Sequence, residues 1–110
     1  MTAKELRTAL SLEVLSETDP DRAVTGGYAG DLLSWVMGRA QSGDAWVTIM
    51  TNRNILAVAA LADTACVIVA EDSAVEADVS ALAEEKGINL YRSPLRMFDL
   101  CCRIGALIGV

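Results

Sequence analysis

The chain contains no histidine, only two prolines and only five aromatic side chains, and its three cysteines include no Cys-x-x-Cys pair. Without histidine, the usual base for activating a serine or cysteine nucleophile is missing, and so is the commonest ligand of a transition metal. Cys66, Cys101 and Cys102 are an odd number. Cys66 lies in an apolar run and the adjacent pair point in different directions on a helix, so free buried thiols in a reducing compartment are expected. No apolar run approaches the ~18 residues of a membrane span. The start, MTAKELRTAL, has charges where a secretory signal needs its apolar stretch. A soluble, cytoplasmic protein that does not enter a membrane is expected. The GxxxxGK[ST] loop that holds nucleotide phosphates is absent. With a net charge of −6 and no extended basic cluster, nucleic acid is not an expected partner.

What is present is globular: 110 residues, 53% hydrophobic and 22% charged, sized for one domain over residues 1–110. Few aromatics mean a core of Val, Leu, Ile and Ala. Short apolar runs alternate with helical periods. Thr2 caps a helix to about Leu10, and Leu12 to Leu15 is extended. Glu17 to Asp21 is a polar turn, and Ala23 to Thr25 is a second strand ending in Gly26-Gly27. Gly30 or Asp31 to Ala40 reads as a helix with Asp31 near its positive end. Ala45 to Met50 is a strand and Asn52 to Leu61 a helix. Ala65 to Ala70, apolar without alternation, is a strand covered on both faces. Ala74 to Lys86 is an amphipathic helix stopped by Gly87, and Ile88 to Tyr91 is a strand. Ser93-Pro94 opens a last helix, serine as cap and proline at its first position. The order predicts an α/β domain in three layers: a mostly parallel central sheet of about five strands with helices on both faces.

Two helical segments are more apolar than a small domain needs. Ile55 to Leu61 is apolar all round, which sandwiching within the domain explains. In the last helix only Arg96, Asp99 and Arg103 form a polar stripe among Leu95, Met97, Phe98, Leu100, Ile104, Leu107 and Ile108. That helix calls for a partner surface, and a twofold homodimer is the expectation.

The most informative stretch runs Asp21-Arg22-Ala23-Val24-Thr25-Gly26-Gly27-Tyr28-Ala29-Gly30-Asp31-Leu32-Leu33. It resembles the signature of DRTGG domains, with Ala23-Val24 set between Asp21-Arg22 and Thr25-Gly26-Gly27. The small stand-alone members look similar over nearly the whole chain, through Ser34-Trp35-Val36-Met37 and the Gly43-Asp44-Ala45-Trp46 turn. The resemblance implies a regulatory or dimerising module, akin to the N-terminal, non-catalytic domain of HPr kinase/phosphorylase. Such domains occur beside CBS domains in regulated pyrophosphatases and in some phosphotransacetylases. That company implies an adenine nucleotide as ligand, and the setting of some stand-alone members implies a partner enzyme of anaerobic redox metabolism, linked to hydrogenases.

From the residues alone, three glycines within five positions let the backbone take positive φ and approach a ligand, and amides at a helix start favour an anion. The ordinary alternative is a turn and cap that merely pack strand on helix. In an open α/β sheet, ligands sit beyond the carboxyl ends of the strands. Thr25, Gly26, Gly27, Tyr28, Gly30 and Asp31, with Thr51, Asn52, Arg53 and Asn54, are therefore the candidate ligand-binding residues. Thr51, Asn52 and Asn54 can equally be caps, and Arg53 a solvated cation. Glu71-Asp72 and Arg92-Ser93 share that rim. Glu71-Asp72 reads as a complement to the following helix start rather than a metal site. No cofactor, metal or catalytic residue is expected. Two readings stand: a non-catalytic regulatory domain sensing a small anion or nucleotide, and an assembly module with no small ligand.

Overall fold

A computed structural model describes residues 1–109. Helices α1 (Ala3–Ala9), α2 (Leu33–Arg39), α3 (Asn54–Ala62), α4 (Ala77–Lys86) and α5 (Met97–Ile108) are threaded among strands β1 (Glu13–Ser16), β2 (Gly26–Ala29), β3 (Asp44–Thr48), β4 (Cys66–Val69) and β5 (Leu90–Arg92). The strands form one five-stranded sheet in the order β1-β5-β4-β3-β2. Strands β2, β3, β4 and β5 are parallel, and β1 runs antiparallel to β5. The fold is α/β in three layers, as the alternation of elements predicts.

The apolar runs are uninterrupted because both faces of the sheet are covered. Ala45, Val47, Cys66, Ile68 and Tyr91 point to one side, where Ala3 and Leu6 of α1 and Leu100 and Ile104 of α5 close a core. Trp46, Val67, Val69 and Leu90 point to the other, against Val36 of α2, Ile55 and Leu56 of α3, and Val79 and Ala83 of α4. Every residue of β3 and β4 is buried, so neither strand has a solvent face on which polar residues could alternate. On the second face α2 packs on α3, α3 on α4 and α4 over β1, which leaves α2 outermost on the β2 side. On the first face α5 lies over β2 and β3.

Local chemistry sets the element ends. Thr2 and Glu5 form a reciprocal cap on α1: the Glu5 amide donates to Thr2 Oγ1 (3.1 Å) and the Thr2 amide to Glu5 Oε1 (2.9 Å). Left-handed residues Asp63 (φ 57°) and Gly87 (φ 75°) end α3 and α4.

Several expectations are corrected. The glycines do not follow a strand; they form one, since β2 is Gly26–Ala29 itself. The last helix starts at Met97, three residues after Pro94. Ser93 Oγ accepts from the Leu95 amide at 3.1 Å, closing a local turn, and the Glu71 carboxylate takes the Met97 amide at 2.9 Å. The amphipathic helix starts at Ala77 rather than Ala74. Only half of α3 is sandwiched: Ile55, Leu56, Val58 and Ala59 are buried, whereas Ala57 and Ala60 are exposed and Leu61 is 75% exposed. Of the three thiols only Cys66 is buried, with Cys101 half-buried and Cys102 exposed.

Candidate functional site

β2 is an outer strand, paired with β3 alone: Gly26 lies opposite Asp44, Gly27 opposite Ala45, Tyr28 opposite Trp46 and Ala29 opposite Val47. None of Gly26, Gly27 and Gly30 adopts a positive φ, which corrects the turn reading. Their roles differ. A Cβ on Gly26 would stand 2.7 Å from Asp44 Oδ1. That carboxylate is buried and accepts from the Gln41 amide at 2.8 Å, so Gly26 makes room for the group that starts β3. A Cβ on Gly30 would press on the Tyr28 ring at 3.1 Å, whereas one on Gly27 would meet only Ala45 O at 3.6 Å. The glycine that needs its left-handed backbone is Gly43 (φ 87°), whose missing Cβ is also what admits Thr25 Oγ1.

Most of the backbone around this strand is already engaged. The Thr25 amide donates to Gly43 O (3.0 Å) and the Gly30 amide to Val47 O (3.1 Å), while Gly30 O accepts from Trp46 Nε1 (2.9 Å). Asp31 does not cap α2, which begins at Leu33 with Leu32 before it and no side-chain cap. Its Oδ1 instead accepts from Thr48 Oγ1 (2.7 Å) and the Ile49 amide (2.9 Å), and Thr48 Oγ1 accepts from the Met50 amide (3.1 Å). Asp31 thus latches the exit of β2 to the exit of β3.

The topology does bring the exits of β2, β3, β4 and β5 to one rim, with Gly30, Asp31 and Thr51 to Asn54 on it. Thr25 lies at the opposite end, where β2 begins. Asn52 Oδ1 accepts from the Asn54 amide (2.9 Å), a local turn that starts α3. Arg53 is exposed and enters none of the ion pairs among the described residues. Glu71 (φ 61°) and Asp72 (φ 56°) form a left-handed corner whose amides donate to Leu95 O (2.9 Å) and Ser93 O (3.1 Å); the Glu71 carboxylate serves α5 and that of Asp72 serves Arg92 of β5, and neither caps α4. Arg92 is consumed within the rim: Nε donates to Ser73 O (2.8 Å), and its terminal nitrogens reach Asp72 O (2.8 Å), Asp72 Oδ1 (3.0 Å) and Glu13 Oε2 (2.9 Å). On this rim, then, Asp31, Glu71, Asp72 and Arg92 are bound to other groups of the protein, and Arg53 is not paired with an acid among the described residues.

Three clusters escape a reading by sequence. Arg22 holds Asp63 Oδ1 (3.0 Å), Asp63 O (2.9 Å) and Ser42 Oγ (3.3 Å), clamping the end of α3 to the turn before β3. Asp63 is thereby held below the usual carboxylate range, first by Arg22 and then by Ser42. Arg7 grips Glu17 with two bonds (2.9 and 3.0 Å), and the buried Tyr91 hydroxyl donates to the same carboxylate at 2.6 Å. Asn89 receives the Thr18 and Asp19 amides on Oδ1 and donates from Nδ2 to Asp19 O and Ala65 O. Only Asn89, a lone amide between Ile88 and Leu90, carried a visible signal.

Two hollows remain. An apolar groove of about 170 Å³ lies under α5, between Gly27, Ala29 and Val47 on the sheet and Cys101, Gly105 and Ile108 on the helix. A more polar one of about 210 Å³ lies at the opposite rim, beside Asp19, Arg22, Asp63, Lys86 and Asn89. Burial pushes the Cys66 thiol up to about 12, and burial with the neighbouring Cys102 raises Cys101, so neither is poised as a thiolate nucleophile. No group of metal-ligating side chains forms among the described residues, and no helix there is long and apolar enough to cross a membrane.

No protein-family model and no curated protein matches this chain. Among solved structures it is similar to the CBS and DRTGG domains of the regulatory region of Clostridium perfringens pyrophosphatase, complexed with the activator diadenosine tetraphosphate. The TM-score is 0.68 at 14% identity, over 90% of this chain and 44% of that one. The chain therefore spans less than half of that solved chain, and at this identity the likeness is one of fold: the three-layer α/β architecture built here is shared with a chain of CBS and DRTGG domains.

Proposed function

We propose that this chain is a non-catalytic module of the DRTGG type that works through protein contacts, as a homodimer and on a partner enzyme. The observation that carries the reading is where the surface is apolar. Leu32, Trp35 and Met37 around α2, and Phe98 (75% exposed) and Leu107 on α5, remain exposed although the two cores are closed without them. Apolar side chains left outside the cores on both faces of the sheet are what a partner surface would cover. Meanwhile the rim where an α/β domain binds small molecules spends Asp31, Glu71 and Arg92 on itself.

A second reading, a rim that senses an anion or adenine nucleotide, is favoured by one observation: Arg53 stands exposed beside Thr51 and Asn52, outside the internal pairs. The fold neighbour's activator, diadenosine tetraphosphate, is the natural probe. Light scattering and thermal unfolding test both together. Twice the 11.7 kDa chain mass at micromolar concentration, with no shift in melting point from diadenosine tetraphosphate or ATP, supports the assembly module. A monomer stabilised by nucleotide in proportion to its concentration, and not after Arg53→Ala, replaces it with the sensor.

A further inference from the structure

We infer that two copies of this chain pair through the free edge of β2, antiparallel about a twofold axis at Tyr28, joining their sheets into one of ten strands. The inference rests on the homodimer reading above and names its surface.

The Gly30 amide bonds to Val47 of β3, so Gly30 and its alternate neighbour Tyr28 turn their main-chain groups inward. Gly27 and Ala29 then turn theirs outward, and both residues are exposed. Edges of this kind are normally blunted by charge, proline or a bulge. The opposite edge is blunted: β1 carries Glu13, and its register breaks between Val14 and Ser16. Gly26-Gly27-Tyr28-Ala29 has no such protection. Gly27 also lacks an internal reason to be glycine, since a Cβ there would touch only Ala45 O at ordinary distance. A bare strand position without an internal cause fits the close approach of another backbone.

Charge decides which partner fits. At a net charge of −6, two copies repel one another over most of their surface. From Ala23 to Arg39, however, the only charged residues are Asp31 and Arg39, which cancel, and within α5 Asp99 and Arg103 do the same. The β2 edge and the helices flanking it are where two acidic copies meet without net repulsion. With Gly27 opposite Ala29 of the second copy, each twofold-related pair exchanges two main-chain hydrogen bonds. Strand pairing alone is smaller than the roughly 800 Å² per partner of a stable interface. The flanks supply more: α2, with Leu32, Trp35 and Met37, on the Tyr28 face, and α5, with Cys101, Gly105 and Ile108, on the Gly27 face.

The test uses the full chain and two variants. Ala29→Pro removes an outward amide that the protomer does not use, whereas Phe98→Ser removes the most exposed apolar side chain of α5 and leaves the β2 backbone unchanged. Light scattering is expected to show a wild-type dimer, a folded Ala29→Pro monomer and a Phe98→Ser dimer. A dimer that survives Ala29→Pro but not Phe98→Ser overturns the edge and leaves the homodimer reading intact. A wild-type monomer overturns both. Should Ala29→Pro fail to fold, residue-resolved amide exchange on the wild type decides. Gly27 and Ala29 should slow at least about tenfold between dilute and concentrated samples, and amides that exchange freely in a proven dimer refute the pairing.

Discussion

Replacing Asn89 by alanine should cost this protein a large share of its stability. The residue is 3% exposed and binds four main-chain groups. Oδ1 accepts from the amides of Thr18 (3.1 Å) and Asp19 (3.0 Å), while Nδ2 donates to Asp19 O (2.8 Å) and Ala65 O (3.0 Å). The Thr18 and Asp19 groups lie at the surface, where water replaces Asn89 and each loss is about 0.5–1 kcal/mol. Ala65 O has no such recourse, because Ala65 is buried, and an acceptor left without a partner costs about 1–3 kcal/mol. The total is about 2.5–6 kcal/mol, or a drop in Tm on the order of 10–30 °C for a domain of this size. Urea and thermal unfolding, followed by fluorescence of the buried Trp46, measure it. Asn89→Asp separates hydrogen bonding from shape. It keeps both acceptor bonds but aims a carboxylate at two carbonyl oxygens, so its deficit should be greater at pH 7 than at pH 4, where the protonated acid donates to one of them. A loss under about 1 kcal/mol for Asn89→Ala, with Asn89→Asp no worse at neutral pH, would refute the reasoning.

Other expectations follow from the same geometry. Glu17 is held below its usual value of 4.5, first by the Arg7 bonds and then by Tyr91. A depressed folded-state acid stabilises above its unfolded value and loses that contribution as pH falls through the folded one. The stability gap between wild type and Glu17→Gln should therefore be widest near neutrality and close below about pH 4; a gap independent of pH would count against the pair. Gly43→Ala should destabilise by about 1–3 kcal/mol, since the φ is left-handed and the new Cβ meets Thr25 Oγ1, while Gly27→Ala should leave protomer unfolding nearly unchanged. Equal effects in denaturant titrations would dissolve that distinction. At pH 8, a maleimide should label Cys102 first, Cys101 slowly and Cys66 only on unfolding, because burial raises the Cys66 thiol to about 12. Mass spectrometry of labelled peptides gives the order, and rapid labelling of Cys66 would disprove its enclosure.

The parts of the candidate site that sequence reasoning placed well and badly differ in range. The exits of the parallel strands share a rim because the topology demands it, so Asp31 and Thr51 to Asn54 fall where the element order puts them. Their bonding is another matter. Whether Asp31 caps its own helix or reaches across to Thr48 depends on how far β2 and β3 slide past one another, and composition does not encode that offset. The glycines were misplaced for a similar reason. Gly-Gly reads as a turn by local preference, yet pairing with β3 holds Gly26 and Gly27 extended. Ser93-Pro94 likewise has the chemistry of a helix start, but the distant Glu71 carboxylate fixes the actual start at Met97.

By itself the sequence determined the layered α/β class, because unbroken runs such as Val67-Ile68-Val69 have no stable place except between two layers of helix. It also determined the Thr2–Glu5 cap and the Gly87 stop, which are short-range and need only local backbone geometry. Tertiary structure alone decided which strand lies at the edge, which carboxylates are spent on structure, and that Arg22, Glu17 and Asn89 are anchors. Those outcomes depend on contacts between residues tens of positions apart, such as the 70 residues between Asp19 and Asn89. The energy of such contacts is realised only when the whole sheet has closed.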